Sequence, residues 1–341
     1  MIKLNRIAPI GVLISGLALS FAAPALAQET AAATAPEAQA QTATPAMWRV
    51  ADADSEYILL GTFHILPPSL DWRNDDLDAA FQEAAVAYFE VDADAPDAAT
   101  KTLNTVMMQG FNAPGVSLTS MLDDADGKAL GVISRELNLP FAAIDTMRPW
   151  NAFLTLSVQF IINKGFDPGA GVDSVLLSDA KAMGKDVRYF ETIEEQLAFF
   201  TGLSPQVEKD LLVLTIRDWD EQAAAFDELF DAWARGEADY IDAQMNEDMR
   251  EQAPEVYQRL IVERNKVWAE ELDAALKNES GKGLVAVGAA HLVGGEYSVP
   301  ALLAAKGYEV SRYAANTTPE AAADAAPEAA NDNAPPETVE P

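Results

Sequence analysis

The sequence predicts an α/β domain: a central mixed β-sheet flanked by helices, with a large helical insertion. Three observations predict it. Short apolar runs of strand length alternate with segments whose apolar residues recur at helical spacing. Four of the runs end on a His or a Glu, and ligands of open α/β sheets sit beyond the carboxyl ends of strands. Helical patterns fill the stretch at roughly 100–165 and a block after residue 204. The tripeptide Tyr-Phe-Glu and the motif Gly-x-x-His each occur twice, which suggests a weak internal duplication.

The elements follow in order. "MWRV", "ADADSE" and "YILLGTFHIL" read as strand, turn, strand. "DWRNDDLDAAFQEA" reads as an amphipathic helix capped by Asp71 or Asn74, burying Leu77, Phe81 and Ala84 or Ala85. It runs into the strand "AVAYFEVD". "WNAFLTLSVQFIIN" is apolar but too short to cross a bilayer, so it reads as a buried helix. "FDPGAGVDS" lacks the Lys-Ser/Thr ending of a phosphate loop and reads as a turn, with Asp173 as cap of the helix "SVLLSDAKAMG". "KDVRYFET" is a further strand. Ser204-Pro205 suits a helix start. Trp219, Ala223, Phe226, Phe230 and Trp233 form one apolar stripe, read as helix–helix packing. "VYQRLIVERNKVWAEELDAALK" is a long helix after Pro254. "GLVAVGAAHLVG" is a strand, and "VPALLAAKGYEVSRY" gives helix, Gly cap, strand.

The ends of the chain read differently. Residues 1–27 have Lys3 and Arg6, then an apolar run closing on Ala25-Leu26-Ala27: the layout of a secretory signal peptide cleaved after Ala27. This predicts a periplasmic or secreted protein with no stable membrane span. Residues 28–46 and 314–341 are rich in Ala, Pro and polar groups and read as a disordered leader and an acidic disordered tail. The folded part is expected over 47–313.

The formal charge is −31, and residues 1–27 carry two positive charges and no acid, leaving −33 on the rest. Such a charge argues against nucleic acid and anionic lipid as partners and favours cations. There are no cysteines, hence no disulfides and no thiol nucleophile.

The chemistry-bearing residues sit at the strand ends: His64, Glu90, Glu191 and His291, the two histidines being the only ones in the chain. Two imidazoles and one or two carboxylates meeting at one cleft match a divalent metal site that keeps a position open for water. Bland readings stand beside this one. A His after a strand is commonly a hydrogen-bonded loop residue. Glu191, just before "TIEEQ", also suits a helix start. Gly-x-Ser-x-Gly and His-Glu-x-x-His are both absent from the sequence.

"YILLGTFHILPPSLDW", "YFEVD", "GAGVDSVLLSDAKAMGKDVRYFETIEEQLAFF", "IVERNKVWAEEL" and "VAVGAAHLVGGEYSVPALLAAKGYEV" together resemble the TraB/GumN family, which includes the Tiki metalloproteases. The resemblance covers most of residues 47–313. It implies an α/β fold in which the histidines and a glutamate hold a divalent cation. It implies His64, Glu90 and His291 as ligands, with Glu191 second, and Mn, Co or Zn as the ion. A glutamate, Glu90 or Glu191, would act as base. Arg264, in the Glu-Arg-Asn segment, matches a family position near the site and would stabilise an oxyanion. From the residues alone Arg264 reads as half of a surface ion pair. The implied activity is hydrolysis of a peptide or small-molecule substrate; a haem- or metal-ligand-binding protein without catalysis is the alternative.

Overall fold

The computed structural model describes residues 42–217 and 219–313. The readings of residues 1–41 and 314–341 lie outside these. Six strands form one mixed sheet: β1 (Met47–Ala51), β2 (Ser55–Thr62), β3 (Val86–Val91), β4 (Asp186–Glu191), β5 (Gly281–Gly288) and β6 (Glu309–Arg312). Their order is β4-β3-β5-β2-β1-β6. β4, β3, β5 and β2 run parallel, and β1 is antiparallel to both β2 and β6. The expected hairpin, β1–β2, is present.

The central strands β2, β3 and β5 are mostly apolar and buried, as in parallel sheets covered on both faces. β3 is buried along its whole length, while the edge strand β4 is mostly half-exposed. The alternation of apolar runs with helices therefore yields mainly parallel pairing, with every crossover made by helices.

The helices are α1 (Asp75–Glu83), α2 (Ala98–Gln109), α3 (Asp124–Glu136), α4 (Pro149–Asn163), α5 (Val172–Ala182), α6 (Ile193–Thr201), α7 (Pro205–Arg217), α8 (Trp219–Ala234), α9 (Arg264–Asn278) and α10 (Val299–Ala305). Shorter helical pieces connect some of them. Asn74, not Asp71, caps α1: its side chain accepts from Leu77 N. Leu77, Ala80 and Phe81 are the buried face. Ser204 accepts from Val207 N at the start of α7. α4 is buried along most of its length, and no helix among the described residues is long and apolar enough to cross a membrane. Two π-helical turns, Asp242–Glu247 and Gln258–Glu263, interrupt the helical segments before β5.

The leader reading stops short at residues 42–46. Ala43 and Ala46 are buried, Ala43 N donates to Asp71 O and Thr44 N donates to Ala234 O. Small alanines suit close packing against neighbouring backbone, which composition alone does not reveal.

The aromatic stripe of α8 has a definite task. Phe226, Phe230 and Trp233 surround Phe63 at ring separations of 6.1, 5.7 and 5.5 Å. Trp233 Nε1 donates to Gly61 O at 2.9 Å. Burying Phe63 contributes about 1.5–3 kcal/mol. It also anchors the first Gly-x-x-His, one residue before the histidine.

Candidate active site

Because β2, β3, β4 and β5 are parallel, their carboxyl ends share one edge of the sheet. His64 follows β2 by two residues, Glu90 lies in the last turn of side chains on β3, Glu191 ends β4, and His291 ends a short turn after β5. The two Gly-x-x-His motifs lie on neighbouring strands, Thr62 being opposite Gly288. The two Tyr-Phe-Glu copies are also neighbours but one residue out of step, since Glu191 is opposite Val91.

Arg264 draws the ends together. It is buried, only 6% exposed, and is not half of a surface pair. Its Nε donates to Glu191 Oε1 at 2.7 Å, and its Nη2 donates to Glu191 Oε2 at 2.9 Å and to Glu90 Oε2 at 2.6 Å. Its Nη1 faces His291 Nε2 at 3.1 Å and Leu260 O at 3.3 Å. All five guanidinium hydrogens therefore have acceptors, which is what permits the burial of the charge. The guanidinium also lies over the Trp268 ring, 4.7 Å from its centroid, one turn further along α9. Glu191 takes a further bond from Trp268 Nε1 at 3.1 Å. The helix start after β4 is capped instead by Thr192 and Glu195, leaving Glu191 to the cluster.

Glu90 is held at both oxygens. Gly288 N donates to Oε1 at 2.8 Å, and Gln196 Nε2 approaches Oε2 at 3.3 Å. Burial favours its neutral form, but Arg264, the two imidazoles and the Gly288 amide outweigh it, and the pKa falls to about 2. Glu191 moves the other way: burial raises its pKa and Arg264 offsets only part of that.

The histidines differ in their partners. His64 Nδ1 contacts Asp173 Oδ2, and its Nε2 lies 3.8 Å from Glu90 Oε1. The Asp173 contact is made off the N–H axis, so Oδ2 has no aligned donor. Asp173 Oδ1 accepts from Thr62 Oγ1 at 2.6 Å. Burial opposes protonation of His64, yet Asp173 and Glu90 prevail and raise its pKa. His291 Nδ1 meets Asn265 Oδ1 at 2.6 Å. Burial and the Arg264 charge lower its pKa to about 3.

Asp173 is thus not the cap of α5. Gly171 occupies the N-cap position, and Asp173, inside the first turn, reaches back to the end of β2. The approach is close: a Cβ on Gly171 would come within 2.0 Å of His64 O. Gly288 is the second close approach, where a Cβ would stand 3.1 Å from His64 Nε2 and 3.2 Å from Glu90 Oε1. These two atoms and the His291 ring border the space that a side chain at 288 would enter.

A cleft of about 270 Å³ reaches the cluster through Glu191, lined also by Val91, Asp92, Lys101, Tyr189 and Glu195. His64, Glu90, Glu191, Arg264 and His291 all belong to one cluster. Sequence reasoning missed Asp173, Asn265, Gln196 and Trp268 as its members.

The donor set can be tested against a metal. His64 Nε2 and Glu90 Oε1 are an imidazole nitrogen and a carboxylate oxygen, the donors that Mn²⁺, Co²⁺ and Zn²⁺ accept. His291 Nε2 already receives an Arg264 hydrogen, so it joins the set only by exchanging that bond. Among the described residues no three His, Cys, Asp or Glu side chains form a group that could hold a metal ion. Glu90, Glu191 and Asp173 against Arg264 leave the cluster at −2 when both imidazoles are neutral.

Fold and cluster define the class: an α/β protein with a buried Glu–Arg–His centre at the carboxyl edge of its parallel strands. The chain belongs to the TraB/PrgY/gumN family, which it matches over residues 46–312. No curated protein and no solved structure matches it.

Proposed function

We propose that the chain is a divalent-metal-dependent hydrolase, a peptidase, acting at this cluster on a peptide or small-molecule substrate. The observation that carries the reading is the charge balance. The buried carboxylates Glu90 and Glu191, with the partly exposed Asp173 beside them, face one guanidinium, and a divalent cation beside Glu90 and His64 would offset the remaining negative charge. Mn²⁺, Co²⁺ or Zn²⁺ in that donor set would supply Lewis acidity and a water of lowered pKa.

The chain's own residues divide the remaining work. Glu90, hydrogen-bonded at both oxygens, is a fixed anion suited to ligation. Glu191 lines the open cleft and is the carboxylate placed to accept and return a proton. Arg264, held in place by Glu191, carries the positive charge beside which a developing oxyanion would be stabilised. Asp173, held by Thr62, would orient His64 through its Nδ1, as outer partners do around metal-bound imidazoles. We also propose export, on the strength of the signal-peptide layout of residues 1–27, with a mature chain starting at Gln28.

Metal content of the purified protein, calorimetric titration of the three ions into stripped protein, and a peptide-library assay test this together. Expected are one ion per chain and cleavage that chelation abolishes and ion addition restores. Glu90→Gln should lose the ion; Glu191→Gln should keep it and lose turnover. Metal-free protein without hydrolysis, combined with stoichiometric haem uptake in a Soret titration, would replace this reading with the binding-protein one.

A further inference from the structure

We infer that Asp173 and Asn265 are positioning residues that fix the tautomers of the two histidines, so that both Nε2 lone pairs face Glu90 and Arg264. This does not rest on the hydrolase reading, since it follows from which atoms can donate.

Take His291 first. Asn265 Nδ2 donates to His291 O at 3.2 Å and Tyr297 O at 2.8 Å. Two carbonyls at that end of the amide fix its orientation, because the opposite orientation would set oxygen against oxygen. Asn265 Oδ1 is therefore an acceptor, and His291 Nδ1 must carry the hydrogen of their 2.6 Å bond. The other ring nitrogen gives the same answer independently. Arg264 Nη1 only donates, so His291 Nε2, at 3.1 Å, is the lone-pair nitrogen. Asn265 is fully buried, and a second amide steadies the same loop, Asn246 Nδ2 donating to Ala290 O and Val293 O.

His64 has a carboxylate at the same ring nitrogen, in a charge contact rather than an aligned hydrogen bond. Asp173 Oδ2 accepts only, and a lone pair on Nδ1 would be repelled by it, so the hydrogen lies on Nδ1. Thr62 Oγ1 holds the other carboxylate oxygen in place. Nε2 is left on the side of Glu90, 3.8 Å from Oε1, an oxygen already occupied by the Gly288 amide. The two motifs thus receive the same tautomer from two unrelated elements, the first turn of α5 and the first turn of α9.

The chain has only two histidines, so imidazole ¹⁵N spectra of the full protein contain only these rings. The measurement is a long-range ¹H–¹⁵N correlation in buffer alkaline enough to leave both rings neutral. Both should show the hydrogen on Nδ1. Asp173→Ala should collapse the separation between the two His64 nitrogens toward zero, because exchange between two tautomers of similar energy averages both shifts. His291 should stay unchanged in that sample, which serves as the control for folding. Asp173→Asn should restore the wild-type pattern, because an amide oxygen can accept as Asn265 does. Asn265→Asp should keep His291 in the Nδ1–H form, and Asn265→Ala should lose it. A hydrogen on Nε2 of either ring in the wild type would overturn the inference, and so would an Asp173→Ala spectrum identical to the wild type.

Discussion

The two Gly-x-x-His strand ends carry the same motif on neighbouring strands and finish in opposite electrostatic settings. At the end of β2, His64 has a carboxylate on Nδ1 and another near Nε2, and its pKa is raised. At the end of β5, His291 has an amide on Nδ1 and a guanidinium at Nε2, and its pKa falls to about 3. Both rings are largely buried, so burial does not separate them. The nearest charges do. A motif places an imidazole; its neighbours from other elements decide its protonation.

The largest way to break this contrast is to remove Arg264. Arg264→Met leaves Glu90 and Glu191 buried without their counter-charge and should cost about 3–5 kcal/mol in urea unfolding. Adding Glu191→Gln should recover part of the loss. A loss under about 1 kcal/mol would mean that water screens the cluster.

The next effect is on pH. His291 has a folded pKa of about 3, below its ordinary 6.5, so the unfolded chain binds more protons between those values. Its contribution is present above 6.5 and is lost as the pH falls toward 3. Glu90 adds a loss as the pH falls from 4.5 toward 2. His64 acts in the opposite sense: with its folded pKa raised above 6.5, its contribution is complete below that pH and disappears as the pH rises through the folded value. His64→Gln and His291→Gln should therefore change the slope of unfolding free energy against pH near neutrality in opposite directions. Slopes changed alike would refute the contrast.

Two glycine substitutions sharpen it further. Gly171→Ala forces a Cβ against His64 O and should cost about 1–3 kcal/mol. Gly288→Ala meets His64 Nε2 and Glu90 Oε1 at distances that a small shift can relieve, so under the proposed metal site ion affinity should fall more than stability. Thermal unfolding alongside ion titration separates the two outcomes. The smallest effect is expected from Thr62→Val, which removes one hydrogen bond to Asp173. It should cost about 1 kcal/mol and loosen His64 while leaving His291 as it is.

Much of the cluster was legible because strand ends announce themselves. An apolar run that stops at His or Glu puts that residue at the edge of a parallel sheet, where the parallel pairing gathers it with the others. Arg264 was legible as chemistry only through the family resemblance. From its own helix it reads as exposed, since the groups that bury it, Glu90 and Glu191, lie 174 and 73 residues away in sequence. Asp173 was misread as a cap for a similar reason: an acid at a helix start has a good local explanation, and nothing nearby names His64 as its partner.

The sequence by itself determined the layers of the fold, the strand-end placement of His64, Glu90, Glu191 and His291, and the apolar stripe that packs around Phe63. Those follow from periodicity and from the burial of apolar surface, which are properties of short segments. Only the tertiary structure decided which residue faces which. It set the one-residue offset of the two Tyr-Phe-Glu strands, the five acceptors around Arg264, and the opposite surroundings of the two histidines. Hydrogen bonds and charge pairs act over a few ångströms in space whatever the separation along the chain, so no local pattern encodes them.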